Sequence, residues 1–357
     1  MATLRLRDRD AILTREGLIL RVFGYSHLPN AYICDAEYAS AKIFKSDNPR
    51  AFRTDGNRVF YKFYDDEGWK FVKDNFPQYM TFHHSIRKKV VGVKLPDIAL
   101  VLKPEEEFRK LVEKEPKDKL IEAVQSVLKI TTRHSGLSAK NFGVFGSLLH
   151  GFYHPQFSDI DLIIYGKENV AKMRETVHEL YGDKSSSLKN EFESDNSIKG
   201  KNWRFENYTP KEFVWHQRRK TIYALFKDEK SGRIIKTEFE PVKEWGEIGK
   251  AVFSGTKVTQ KGWVKMFARV TEDYDAPFIP SIYGIKPLKV LDRKTGSGEA
   301  KWLISYLEEF RMQAYRDETV YIEGNLEEVK TPEGSFHQIT LTYCPRYYNQ
   351  VLKVAIA

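Results

Sequence analysis

The chain has 357 residues, 41% hydrophobic and 13% aromatic, with a formal net charge of +9. That length exceeds one core of ordinary size, and the apolar content is ample for two or three, which excludes wholesale disorder. No run approaches the roughly 20 apolar residues that span a bilayer. The N-terminal MATLRLRDRDAIL lacks the apolar run of a secretory signal, and the two cysteines, Cys34 and Cys344, form no metal-ligand or disulfide framework. A cytoplasmic, multidomain protein that makes no use of a membrane is expected. Its basic surplus points to a polyanionic partner.

Residues 1–104 read as a β-rich domain: GLILRVFGY, NRVFYKFY and VVGVKL are β-branched and aromatic runs divided by Gly, Asn, Asp and Pro. A second domain is expected over 105–250. Its first part is charged and helix-forming, with Leu120, Ile121, Val124, Val127 and Leu128 at helical spacing. NFGVFGS is an apolar strand ending in Gly146-Ser147, DIDLIIYG is a second strand, and KENVAKMRETVHELYG predicts a helix stopping at Gly182. The polar stretch 183–207 predicts a mobile loop. A helix is predicted over 209–226, because Thr209 and Glu212 form a capping-box pattern and Pro210 suits the first helical position. A hairpin with a Ser-Gly turn then leads into IIKTEFEPV. Residues 251–357 read as an α+β domain of strands with one helix, AKWLISYLEEFRMQAY.

The charge is unevenly spread. Residues 199–236 carry eleven basic and four acidic side chains, and a smaller basic cluster lies at Arg87, Lys88, Lys89 and Lys94.

One segment carries chemistry. Gly146-Ser147 is followed, after eleven residues, by Asp159-Ile160-Asp161-Leu162. On a strand, residues i and i+2 share a face, so Asp159 and Asp161 project side by side while the apolar neighbours bury the other face. Two carboxylates forced together repel, and a proton or a cation must relieve that. Oxygen ligands at this spacing suit Mg²⁺ or Mn²⁺ bound together with substrate phosphates. A Gly-Ser turn opening a short helix offers backbone N–H groups and a hydroxyl to phosphate oxygens, and Gly146 permits close approach.

The stretch VFGSLLHGFYHPQFSDIDLIIYG, with Ser158 before the first aspartate, resembles the nucleotidyltransferase superfamily whose best-known member is DNA polymerase β. The rest of the chain is similar to uncharacterised archaeal predicted nucleotidyltransferases of similar length. The resemblance implies an α/β (α+β) fold: a palm with a short mixed sheet and helices on one side, flanked by the β-rich N-terminal and α+β C-terminal domains. It implies two-metal transfer of a nucleoside monophosphate from an NTP to an acceptor hydroxyl, with release of pyrophosphate. Asp159 and Asp161 would hold the metals, and Gly146, Ser147 and Ser158 the nucleotide. The third acid in related enzymes often lies three residues before a proline, which selects Glu238 ahead of Glu240. Leu149-His150-Gly151 replaces the Arg-Gly of many tRNA- and toxin-type members, which turns the reading away from those assignments.

Further candidates lie around this core. On the helix predicted over 209–226, Trp215, Arg218, Arg219, Ile222 and Phe226 share one face, so Arg218 and Arg219 either bind substrate phosphate or form ion pairs. Trp203 and Arg204, with Arg87, Lys88 and Lys89, are candidates for acceptor contact, since basic and aromatic residues together suit single-stranded nucleic acid. His150 and His154 are candidate phosphate or substrate contacts. A nucleic-acid 3′ end, RNA more than DNA, is the favoured acceptor. The alternatives are nucleotidylation of a protein or small molecule, and a non-catalytic binding protein with a degenerate palm.

Overall fold

The computed structural model describes residues 4–84, 86–198, 203–249, 256–292, 294–342 and 346–355. Cys344, and Lys199 and Lys201 of the basic block, lie outside them. The chain divides into two compact units: residues 1–83, 88–189 and 224–251 form the first, and residues 84–87, 190–223 and 252–357 the second. The expected N-terminal domain and most of the palm thus share one unit.

The β-branched runs of the first hundred residues form strands β1 (Ala11–Thr14), β2 (Leu18–Val22), β3 (Tyr32–Ser40), β4 (Phe52–Thr54) and β5 (Val59–Lys62). Helix α1 (Glu67–Asn75) and strands β6 (Met80–His83), β7 (Lys88–Val93) and β8 (Ile98–Leu102) follow. They make an eight-stranded sheet of order β4-β5-β3-β2-β1-β8, with β7 also on β3 and β6 on β7. Ile12, Leu18, Leu20, Val22 and Val93 fill its core.

Helix α2 (Pro104–Val112) begins with a proline and three glutamates in its first turn, the charge that a helix N-terminus favours. Helix α3 (Lys119–Ser135) is capped by Asp118, whose side chain accepts from the Leu120 and Ile121 N–H groups, and it ends at Gly136 in the left-handed region. Strand β9 (Phe142–Val144), helix α4 (Gly146–His150), strand β10 (Ile160–Tyr165) and helix α5 (Lys167–Gly182) come next, the last with the bounds its sequence predicts. Strand β11 (Leu188–Asn190) lies inside the stretch read as a loop. Helix α6 (Pro210–Lys220) has the capping box of Thr209 and Glu212, but it stops at Lys220 because Thr221 turns left-handed at φ 53°. Ile222 and Phe226 are therefore not on this helix: β-branched and aromatic residues continue as β12 (Tyr223–Asp228), which turns into β13 (Arg233–Val242). The palm sheet has the order β11-β12-β13-β10-β9, with β10 parallel to β13 and antiparallel to β9. It is the short mixed sheet of an α/β fold.

The remaining strands are β14 (Lys257–Asp275), β15 (Ser281–Val290), β16 (Ala300–Ser305), β17 (Thr319–Thr331), β18 (Gly334–Leu341) and β19 (Val351–Val354). The helix expected at AKWLISYLEEFRMQAY is instead strand β16 and a single 3₁₀ turn at Glu308–Phe310. Leu303 and Ser305 alternate inward there, with pairing on both sides, and tertiary packing overrides the helical propensity. Strand β14 pairs with both β15 and β17, which closes the order β14-β15-β16-β18-β17 on itself. Strands β16 and β18 are parallel. This is the strand order of an OB-type Greek-key barrel. Val264, Met266, Tyr283, Leu303, Ile322, Leu326 and Ile339 fill it, with Phe205 and Tyr208 from before α6. Among the described residues the unit's α-helix is thus α6, which precedes the barrel in sequence.

In the first unit, Arg7, Asp8, Arg9 and Asp10 are all buried. Arg7 pairs with Glu105 and Glu244 and lies 3.8 Å over the Tyr165 ring. Lys103 pairs with Asp10. Arg9 donates to Glu240 on β13 at 3.0 Å. Removing one member of a buried pair leaves the other charge uncompensated. Arg9→Ala is expected to lower stability by about 3–5 kcal/mol in urea unfolding, and Arg9→Met with Glu240→Leu to recover most of that loss.

Candidate active site

Strand β9 delivers the chain to Gly146, whose φ is +62°. A Cβ there would lie 2.5 Å from Oδ2 of Asp161, so both backbone conformation and space demand glycine. The Phe145 N–H donates to the Asp161 carbonyl at 3.1 Å and ties the Gly-Ser turn to β10. Leu148, Leu149 and His150 are buried beneath the turn, and Ser147 is half-exposed at its rim.

In the parallel pairing of β10 with β13, Asp161 stands opposite Glu238 and Ile163 opposite Glu240. Lateral neighbours share a face, so both glutamates lie on the Asp161 face, while Ile160, Leu162, Thr237 and Phe239 are buried on the other. Asp159 is exposed just before β10. Burial, and then the negative charges of Asp159 and Glu240, push the Asp161 carboxyl up to about 7; Lys62 and Lys236 partly offset them.

The two glutamates differ. Glu240 is buried and paired with Arg9, whereas Glu238 is half-buried and level with Asp161. Arg233, which opens β13, donates to the carbonyls of Pro155 at 2.6 Å and Ser158 at 3.2 Å and holds the loop before the aspartates. The Ser158 hydroxyl accepts from the His154 N–H at 2.8 Å and closes that loop.

His150 is buried against Tyr38 and Phe152, with ring centroids at 5.3 and 5.5 Å. Burial, and then the Arg58 charge, push its imidazole down to about 3, so it packs as a neutral ring. His154 is exposed and stacks on Phe157.

The remaining candidates are engaged elsewhere. Arg218 donates to the carbonyls of Phe192 at 2.8 Å and Glu193 at 2.7 Å. Arg219 pairs with Glu318 between the rings of Trp215 and Tyr315. Both belong to the second unit. Trp203 packs against the barrel core and donates its indole N–H to the Tyr208 carbonyl at 2.6 Å. Arg204 donates to the Tyr348 hydroxyl at 3.0 Å, and Arg87 to the Val258 carbonyl at 2.8 Å. Lys88 and Lys89 open β7, with Lys89 exposed.

Arg9 and Lys62 escape sequence reasoning because they lie outside the motif. The one signal for Arg9 is the alternating Arg7-Asp8-Arg9-Asp10 run just before an apolar strand.

Residues 124–228 match the family model described as "Nucleotidyltransferase domain". The match holds the Gly-Ser turn and both aspartates and ends with β12, before the glutamates of β13. The chain is also similar to the uncharacterized protein MJ1086 of Methanocaldococcus jannaschii, with 25% identity over 360 residues, covering 98% of this chain and 99% of that protein. No solved structure matches. The chain carries a nucleotidyltransferase domain in an α/β fold, and with it the general chemistry of a transferase that takes an NTP. No helix among the described residues is long and apolar enough to cross a membrane.

The raised carboxyl has a consequence for stability. Asp161 favours the folded state while protonated, and this contribution is full below about pH 4 and lost as pH rises through about 7. In EDTA, Asp161→Asn is therefore expected to melt several degrees above wild type at pH 8, with the difference shrinking towards pH 4. Thermal unfolding at both pH values measures it.

Proposed function

We propose that the protein transfers a nucleoside monophosphate from an NTP to an acceptor hydroxyl, in a metal-dependent reaction at the acids of β10 and β13. The observation that carries this reading is Asp161, crowded by Asp159 and Glu240, level with Glu238 and backed by the Gly146 turn.

The donor set fits Mg²⁺ or Mn²⁺. It is all oxygen, and the electrostatic strain on Asp161 is of the kind that a cation relieves. Among the described residues no three His, Cys, Asp or Glu side chains form a ready cluster. Mg²⁺ commonly takes one or two carboxylates and completes its shell with water and substrate phosphates. Asp159, Asp161 and Glu238 would hold the metal, whose chemistry is to neutralise charge on the triphosphate and lower the pKa of the acceptor hydroxyl.

The chain's own residues do the rest. The N–H groups of the Gly146-Ser147 turn and the Ser147 hydroxyl face the phosphates. The acceptor oxygen bonds to the α-phosphorus as the bond to the β-phosphate's bridging oxygen breaks, and pyrophosphate leaves. Glu238 takes the acceptor's proton on its carboxylate, while Glu240 stays with Arg9. The negative charge of Asp159 disfavours the ionised Asp161 carboxyl, a cost that a bound cation would remove.

A nucleic-acid 3′ end, RNA more than DNA, is the favoured acceptor. Support comes from the barrel, since OB-type barrels commonly hold single strands. Its strands β15 and β16 expose Lys286, Leu288, Lys289 and Lys301 beside the half-exposed Trp302. Lys88, Lys89 and Arg204 are further candidate contacts.

Each α-³²P-labelled NTP, incubated with Mg²⁺ or Mn²⁺ and total RNA, should label RNA with wild type and lose at least 100-fold of that labelling with Asp159→Ala/Asp161→Ala. Label on protein instead would move the acceptor. Equal labelling by both proteins, or none by either, would sink the catalytic reading.

A further inference from the structure

We infer that Lys62, on the N-terminal sheet and outside the matched domain, binds the β- and γ-phosphates of the NTP and the pyrophosphate that leaves. The inference rests on the nucleotidyltransferase reading and deepens it by assigning a phosphate site to the first hundred residues.

Strand β5 pairs with β3 so that Lys62 stands opposite Tyr38 and Phe60 opposite Ser40. The Phe60 ring lies 5.1 Å from Phe152, and the Tyr38 ring lies 5.3 Å from His150 and 5.6 Å from Phe152. The Phe152 N–H in turn donates to the Ser147 carbonyl at 2.9 Å. The sheet face that bears Tyr38 and Phe60 is therefore docked on the helix that presents Ser147. Lys62 is two residues beyond Phe60 on the same strand and shares its face. It also shares that face with Tyr38, its lateral neighbour. Three ring contacts thus fix against α4 the sheet face that carries the half-buried Lys62.

The electrostatics agree with this placement. Lys62 is the cation that most favours the ionised Asp161 carboxyl, followed by Lys236, two residues before Glu238 on β13. An NTP adds several negative charges to a site already rich in carboxylates. A lysine serves such a site as a point charge on a flexible stem, able to follow the phosphates from substrate to product. Arg53 of β4 stands opposite Phe60 and so adds positive charge on the same face.

A merely structural Lys62 would screen Asp161 and do nothing else. The two roles separate by ligand. With full-length protein and Mg²⁺, binding of a non-hydrolysable NTP, inorganic pyrophosphate and the matching NMP is measured for wild type, Lys62→Met and Lys62→Arg. Lys62→Met should weaken NTP and pyrophosphate about tenfold or more, leave the NMP within about twofold, and be rescued by Lys62→Arg. If Lys62→Met does not fold, Lys62→Gln carries the same expectation. Equal losses for NTP and NMP, or unchanged pyrophosphate binding, would overturn the inference and leave the nucleotidyltransferase reading intact. A wild type that binds none of the four NTPs overturns both.

Discussion

Carboxylates crowd one face of two parallel strands, and the first unit is arranged around the cost of keeping them there. Asp161 is half-buried beside Asp159, level with Glu238 and within the field of Glu240. Such a row repels itself, and each added negative charge raises the free energy of the ionised state. The fold meets this with countercharge from a distant part of the sequence. Arg9 neutralises Glu240, while Lys62 and Lys236 bias Asp161 towards ionisation. On the proposed function, the Asp159–Asp161–Glu238 edge is the part that a cation and a triphosphate would complete.

This electrostatic division explains why the N-terminal sheet and the palm form one compact unit. The buried Arg7–Asp10 segment is a strip of alternating charge whose partners lie on α2, on β13 and just beyond it. An isolated segment 124–228 would lack Arg9, Lys62 and both β13 glutamates. The Gly-Ser and aspartate motif and the added sheet therefore belong to one compact unit, with Gly146 at the point where backbone and carboxylate touch.

Much of this was legible in the sequence because it is local. The Gly-Ser turn, the paired aspartates, the capping box at Thr209 and the Gly182 stop are each set by residues within a turn or a strand. Glu238 and Glu240 were also readable as the candidates for the third acid. Their different fates were not, since these depend on Arg9, 231 positions away. The same limit applies to AKWLISYLEEF, whose helical composition yields to pairing with β15 and β18. For Arg218 and Arg219 the sequence left phosphate binding and ion pairing both open. Sequence could not say that carbonyls and Glu318 would engage them.

The proposed function requires the crowded acids of β10 and β13 to hold a cation. Mn²⁺ binding to full-length protein, followed by electron paramagnetic resonance of the free ion in the presence of a non-hydrolysable NTP, tests it most directly. Wild type is predicted to bind Mn²⁺ and Asp161→Asn to lose that binding while remaining folded. Mn²⁺ binding that is the same in both proteins would contradict the account.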